Sequence, residues 1–129
     1  MRPETIVINT EPRYLPEQSK PDQNRFVFAY TITIENTSTT RCQLLSRHWV
    51  IQDANHKVEE VTGDGVIGEQ PVLEPGESYT YSSGAIIETE IGTMEGRYFM
   101  VWQPDQTKDP IEFEALIPRF TLSIPRTVH

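Results

Sequence analysis

The chain has 129 residues, of which 36% are hydrophobic, so one core and a single domain over residues 1–129 are expected rather than a disordered chain. The formal charge of −8 disfavours nucleic acid as a partner, and no apolar run approaches the ~20 residues of a membrane helix. The first residues lack the apolar stretch of a secretory signal, and the single cysteine, Cys42, excludes an internal disulfide. We therefore expect a cytoplasmic protein that contacts neither nucleic acid nor membranes.

Alternating hydrophobic residues predict β-strands from the start of the chain. Ile6 and Ile8 share a face in a first strand over residues 5–10, and a long loop stiffened by three prolines follows at 12–24. The next strand, over residues 25–37, is the clearest, because large apolar residues occupy every second position. These are Phe26, Phe28, Tyr30, Ile32 and Ile34. We expect this row to face the core.

Shorter strands separated by turns make up the rest of the chain. Residues 42–53 form a long strand with Leu45, Trp49 and Ile51 on one face, and we expect Trp49 to anchor the core. Leu73-Glu74-Pro75-Gly76 is a turn, because proline presets φ and glycine permits positive φ. Further strands are predicted at residues 58–62, 78–85 and 96–103. No segment has convincing helical periodicity.

The last predicted strand changes phase along its length. Phe113, Ala115 and Ile117 take odd positions, whereas Phe120 and Leu122 take even ones. Since a slip of one residue reverses the faces of a strand, we predict a bulge or edge break at the intervening proline, Pro118. About seven short strands predict an all-β fold, a two-sheet β-sandwich of the immunoglobulin or fibronectin type III kind.

A glycine-rich segment is the most conspicuous motif. It reads Gly63-Asp64-Gly65-Val66-Ile67-Gly68, followed by Glu69, and it matches the spacing G-x-G-x-x-G. In dinucleotide-binding folds this motif precedes a helix whose amino terminus meets phosphate, but here Gln70 and Pro71 open no helix. The simpler interpretation is a loop whose glycines take unusual backbone angles; an anion-binding nest of backbone amides is the alternative.

Catalytic and metal-binding residues are sparse. A weak Mg²⁺ or Co²⁺ site is conceivable at four acidic residues around the motif, since hard cations favour oxygen, although a solvated acidic surface explains them as well. These are Glu59, Glu60, Asp64 and Glu69. Cys42 and His48 share parity in their strand but stand ~20 Å apart along it, too far to ligate one metal. Arg47 either reaches out at the end of the sandwich or pairs with an internal carboxylate. We expect no catalytic residue and no cofactor.

The chain as a whole resembles the bacterial ApaG (CorD) family over about residues 5–122. The segments that carry the resemblance are Tyr14-Leu15-Pro16-Glu17-Gln18-Ser19, Ser46-Arg47-His48-Trp49, Gly63-Asp64-Gly65-Val66-Ile67-Gly68-Glu69-Gln70-Pro71, Leu73-Glu74-Pro75-Gly76-Glu77 and Ile117-Pro118-Arg119-Phe120-Thr121-Leu122. The resemblance implies a sandwich like fibronectin type III and no established reaction. It also implies an association of bacterial members with cobalt resistance and magnesium efflux, and gene neighbours for diadenosine tetraphosphate hydrolysis and ribosomal RNA methylation.

Two functional hypotheses follow. The first is a noncatalytic protein-interaction module, as the related animal domains of an F-box protein and a DNA polymerase delta-interacting protein look to be. Its partner, which is unknown, would contact the glycine-rich segment or the loop at 12–24, and exposed sheet edges could pair with a partner strand or form a homodimer. The second is binding of a nucleotide polyphosphate, through its pyrophosphate group, or of a divalent cation at the glycine-rich segment.

Overall fold

Eight β-strands form nearly all of the regular structure in the computed structural model, which describes residues 5–104 and 108–125. The strands are β1 (Ile6–Tyr14), β2 (Phe26–Asn36), β3 (Arg41–Asp53), β4 (Val58–Asp64), β5 (Val72–Leu73), β6 (Ser78–Ile87), β7 (Ile91–Gln103) and β8 (Ile111–Ser123). Two 3₁₀ helices, Pro16–Gln18 and Pro21–Gln23, connect β1 to β2. Among the described residues no helix is long and apolar enough to cross a membrane.

The strands form two antiparallel sheets, which confirms the predicted all-β sandwich. One sheet has the order β1-β2-β6; the other has the order β4-β3-β7-β8, with the short β5 also paired to β3. β1 contacts β8 at one side of the sandwich, which leaves β6 on the opposite side, over β3 and β4. The connection from β6 to β7 therefore passes from one sheet to the other.

The core lies between the two sheets and contains the apolar row of β2. Phe28, Ile32 and Ile34 are fully buried there, and Trp49 of β3 is 2% exposed, as the sequence predicts. Trp49 packs edge-on against Phe120, with ring centroids 5.9 Å apart. Across the sheets, the hydroxyl groups of Tyr81 on β6 and Tyr98 on β7 share a hydrogen bond. Large aromatic contacts thus hold the two layers together.

Two β-bulges change which residues of their strands point into this core. In β8, two residues, Pro118 and Arg119, lie opposite Glu95 of β7, so the predicted break at Pro118 is confirmed. A second bulge lies at Leu45, which stands unpaired between Leu44 and Ser46. The alternation in β3 reverses there, so the expectation that Leu45 shares the face of Trp49 is wrong.

The first strand is longer than predicted, and this shortens the loop after it. β1 continues to Tyr14 and includes Pro12, which pairs opposite Tyr30. Leu15 N donates to Val27 O, so the odd-numbered residues of β1 direct their backbone N–H and C=O groups to β2. The nitrogen of Pro12, an even-numbered residue, therefore faces the open edge, where its lack of an N–H breaks no hydrogen bond. The chain from Leu15 to Arg25 then forms the connection, with its two 3₁₀ helices.

Candidate functional site

The glycine-rich segment forms a tight turn after the end of β4. Val66 N donates to Glu69 O at 2.8 Å, and Glu69 N donates to Val66 O at 2.9 Å. The two residues between them, Ile67 and Gly68, have φ values of 48° and 75°. Positive φ at both central residues is the requirement of a type I′ turn. We call residues 63–70, which include this turn, the glycine loop.

Each glycine of the glycine loop has a steric reason of its own. Gly65 has a φ of 62°, and a Cβ atom there would lie 2.1 Å from Glu69 O. A Cβ atom on Gly63 would lie 2.8 Å from Nη1 of Arg47, whereas Gly68 faces open space and is required by its φ alone. The backbone of the turn therefore explains Gly65 and Gly68, and the contact with Arg47 explains Gly63, so the spacing G-x-G-x-x-G requires no ligand.

The glycine loop is bound firmly to β3. Gly65 N donates to Leu45 O at 2.7 Å, and Gln70 Nε2 donates to the same oxygen at 2.9 Å. Arg47 Nη1 donates to Gly65 O at 2.8 Å and to Asp64 O at 3.2 Å. Arg47 thus neither extends into solvent nor pairs with an internal carboxylate, the two possibilities that the sequence left open. Its guanidinium group instead supports the backbone of the loop.

Two adjacent residues of the glycine loop have opposite environments. Val66 is fully buried in the core, whereas Ile67 is 60% exposed at the tip. Left-handed backbone conformations are unfavourable for β-branched residues, at a cost on the order of 1–3 kcal/mol. Ile67 therefore combines backbone strain with an exposed apolar side chain. Its position in the turn was not predicted from the sequence, because the glycine spacing does not reveal which residue besides glycine takes positive φ.

The geometry of the glycine loop offers little to a phosphate group. Gly65, Val66 and Glu69 donate their N–H groups to carbonyl oxygens of the protein, which leaves few amides for an anion. The chain continues into β5 rather than a helix, so no helix dipole points at the loop. The carboxylates of Asp64 and Glu69 are exposed beside it and would oppose an anion.

The acidic residues near the glycine loop are spread over the surface. Glu59 and Glu60 are consecutive in β4, so their side chains point to opposite faces of the sheet, and all four candidate cation ligands are exposed. Within residues 5–104 and 108–125, no group of three or more His, Cys, Asp or Glu side chains could hold a metal ion. His48 Nε2 lies 3.4 Å from Glu60 Oε1, on the outer face.

Cys42 is separated from His48 by the bulge in β3. Because the alternation reverses at Leu45, Cys42 points into the core and His48 points away from it, so their shared parity does not place them on one face of the strand. Burial raises the pKa of the Cys42 thiol to about 11, which keeps it protonated and unreactive at neutral pH. His56 lies in the turn after β3, and His129 lies outside the described residues.

The connection between β1 and β2, the other predicted contact region, is held by backbone hydrogen bonds and by the side chain of Ser19. Ser19 Oγ donates to Leu15 O at 2.8 Å and accepts a hydrogen bond from Val27 N at 2.9 Å. Neither 3₁₀ helix buries a residue. This connection is therefore held in place by ordinary turn hydrogen bonds.

Comparison with known proteins agrees with this architecture. The family model of the ApaG domain matches residues 16–102. Protein ApaG of Thiobacillus denitrificans is 56% identical over 124 residues, which cover 96% of this chain and 94% of that protein. Protein ApaG of Ralstonia nicotianae is 52% identical over 124 residues, which cover 96% of each. The crystal structure of the putative ApaA protein from Bordetella pertussis has a TM-score of 0.87 and 47% identity and covers 95% of both chains. The chain therefore belongs to the ApaG family.

Proposed function

We propose that this protein is a noncatalytic protein-interaction module and that the glycine loop presents its contact residue, Ile67. The observation that carries the proposal is the exposed isoleucine held at a φ of 48°. Strained residues persist where the surrounding structure fixes them, and they concentrate at functional positions. An apolar tip held in one conformation loses little entropy when it enters a partner's pocket.

The anchoring of the loop supports this proposal. Before the tip, Val66 is buried and Gly65 is hydrogen-bonded to Leu45 and Arg47; after it, Glu69 pairs with Val66, so the backbone is fixed before any partner arrives. Asparagine or glycine at the tip would relieve the strain at no cost in fold, since both tolerate positive φ. A partner that inserts the side chain of Ile67 into an apolar pocket would explain why an isoleucine stands there.

Binding of a polyphosphate or a divalent cation at the same loop has no favourable geometry among the described residues. The cobalt-resistance and magnesium-efflux phenotypes that the resemblance implies would then arise through a partner protein rather than through metal bound by this chain. The cytoplasm, where we expect the protein to reside, is where such a partner would be sought.

Site-specific photo-crosslinking in cells tests the proposal. A photoreactive amino acid is introduced in place of Ile67 and, as a matched control, in place of Leu116, an exposed apolar residue on β8 with 69% exposure. We expect one or a few proteins to be crosslinked from position 67 and not from position 116. The unlabelled variant Ile67→Asn should fail to compete with this adduct, whereas Leu116→Asn should compete as well as the wild type.

Two results would overturn the proposal. One is the same set of adducts from both positions, and the other is full competition by a folded Ile67→Asn variant. Calorimetric titration with ATP, Mg²⁺ and Co²⁺ addresses the alternative directly. Saturable heat with Mg²⁺ or Co²⁺ that disappears in the Asp64→Asn, Glu69→Gln variant would favour cation binding instead, and saturable heat with ATP alone would favour nucleotide binding.

A further inference from the structure

The edge of the three-stranded sheet formed by β6 is long, free of bulges and uncharged. Its ten residues include no charged residue and no proline, and it pairs with β2 over ten consecutive positions without a bulge. The five residues on its outer face are all exposed. They are Ser78, Thr80, Ser82, Gly84 and Ile86. Among the described residues, β2 is the one strand paired with β6.

The hydrogen-bond register shows which backbone groups of β6 are free. Asn36 N donates to Glu77 O at 2.9 Å, and hydrogen-bonded pairs recur at every second residue of an antiparallel ladder. Odd-numbered residues of β6 therefore bond to β2, and the even-numbered ones direct both N–H and C=O to the open side. The outward N–H groups of Thr80, Ser82 and Gly84 belong to this open row.

The other sheet edges carry features that obstruct strand pairing. β1 has Pro12 between two charged residues, and β8 is broken by the bulge at Pro118. The edge of β4 contains Glu59, Glu60 and Asp64 within seven residues. Prolines, bulges and charges are the usual means by which edge strands avoid pairing with other chains. β6 has none of them.

The sheet that contains β6 has room for one more strand beside β6, above the opposite sheet. The sheet of β6 has three strands, whereas β4 extends the other sheet by a fourth. Val61 of β4 pairs with Trp49 and faces the core layer, yet it is only half-buried. At the far end of β6, three isoleucines and four charged residues line a small cavity: Ile51, Ile86, Ile87, Asp53, Lys57, Glu59 and Glu88. A strand added to β6 would lie over β4 and cover Val61.

The charges at the ends of β6 indicate whether a second copy of this chain or a different protein would pair with its edge. In a two-fold antiparallel pairing centred on Ser82, which pairs β6 over its full length, Glu77 of each copy would lie within one position of Glu88 of the other. Lys57 pairs with Glu88, but the two copies would still bring together chains of −8 formal charge. Like charges opposite each other destabilise strand pairs. An extended segment with a neutral centre and basic ends avoids this repulsion.

We propose that β6 is a β-augmentation site for an extended segment of another protein, with β-branched residues at its centre and lysine or arginine at its ends. The segment would add a fourth strand to the sheet of β6 and bury Val61. The inference rests on the open backbone of β6 and not on Ile67, so it goes beyond the proposed function and does not depend on it.

Selection from a displayed library of random ten-residue peptides tests this inference. Peptides are selected on the wild type alone, and the binding of the enriched peptides to Ser82→Pro is then measured. This variant lacks one outward N–H, and its ladder to β2 remains, since proline is tolerated at an open edge. The matched control, Ser82→Ala, loses only the hydroxyl contact with Thr31 and retains the N–H. Thermal unfolding and circular dichroism verify that both variants fold.

We expect enriched peptides with the stated pattern that bind Ser82→Pro at least about tenfold more weakly than the wild type. Binding to Ser82→Ala and to Ile67→Asn should be unchanged, which separates this surface from the glycine loop. A second measurement needs no variant. When a synthetic peptide of the selected sequence is bound to the wild type, the backbone amides of Thr80, Ser82 and Gly84 should exchange hydrogen more slowly than in the free protein.

Three results would overturn the inference. They are the absence of any peptide enriched on the wild type, equal binding to folded Ser82→Pro, and slowed exchange at other amides only. Sedimentation equilibrium tests whether a second copy of this chain occupies the edge instead. If the wild type dimerises where Ser82→Pro is a monomer, β6 pairs with a second copy rather than with another protein.

Discussion

Two connections of the sandwich place a residue in nearly the same left-handed backbone conformation, with opposite consequences. Asn24, between β1 and β2, has a φ of 54°, and Ile67 of the glycine loop has a φ of 48°. Asparagine adopts this region readily, whereas a β-branched residue is disfavoured there. The first connection therefore follows ordinary turn chemistry, while the second stores strain at an exposed apolar tip. The difference marks the glycine loop, and not the longer connection, as the candidate contact site.

The largest effect should come from Gly65. Gly65→Ala would place a Cβ atom 2.1 Å from Glu69 O at a φ of 62°, so we expect a loss of about 3 kcal/mol or more in the free energy of unfolding. Gly68→Ala is the matched control, because its Cβ atom would meet open space and only its backbone angle is unfavourable, at about 1 kcal/mol. Urea denaturation measures both. Equal losses would show that the loop relaxes and is not rigid.

A smaller loss is expected at Val66. Val66→Ala would leave a cavity beneath the tip and should cost about 2 kcal/mol, because Val66 is fully buried. In the other connection, Leu15 is only half-buried, and Leu15→Ala should cost about 1 kcal/mol although it removes more atoms. Urea denaturation again compares the two. A larger loss at Leu15 would contradict the view that the glycine loop is the more firmly seated connection.

The fold could be predicted largely because its strands bury one face each. The row from Phe26 to Ile34 alternates without interruption, and Pro118 signals the bulge in β8, since proline lacks the N–H that an unbroken ladder uses and it stands where the apolar phase changes. No proline or other sequence signal identifies the bulge at Leu45. An extra apolar residue in an apolar strand leaves its alternation ambiguous until the pairing with β7 is known.

The candidate site could be predicted in position but not in geometry. The glycine spacing identified residues 63–69, but it equally suggested a phosphate site, since sequence spacing does not show where the backbone N–H groups point. The strain at Ile67 and the contacts of Arg47 with carbonyl oxygens depend on how β3 and β4 pair, which is a property of the folded chain. The openness of β6 likewise depends on which strands lie beside it.

The pH dependence of stability tests the burial of Cys42 in β3, the strand to which β5 pairs after the glycine loop. Cys42 pairs opposite Leu73 of β5, and burial raises the pKa of its thiol from 9.0 to about 11. The folded protein then holds a proton that the unfolded chain releases, so stability is complete below pH 9 and falls as the pH rises towards 11. Between pH 8 and pH 10 the loss due to Cys42 should be about 1.4 kcal/mol.

The matched variant for this pH dependence is Cys42→Ala. It should lower stability at neutral pH but make the decline between pH 8 and pH 10 shallower by that amount. Urea denaturation at pH 8, 9 and 10 supplies the comparison. An identical decline in the two proteins would show that the Cys42 thiol does not titrate differently in the folded and unfolded states.

The most direct test of the strained tip is the free energy of unfolding of Ile67→Asn, measured beside the wild type. The substitution would give the turn the Asn-Gly pair that type I′ geometry favours, and it removes a side chain that is 60% exposed. If Ile67 is strained, stability should rise by about 1 kcal/mol with the fold unchanged. A decrease would mean that the isoleucine contributes to the fold itself, and the argument for a functional tip would then fail.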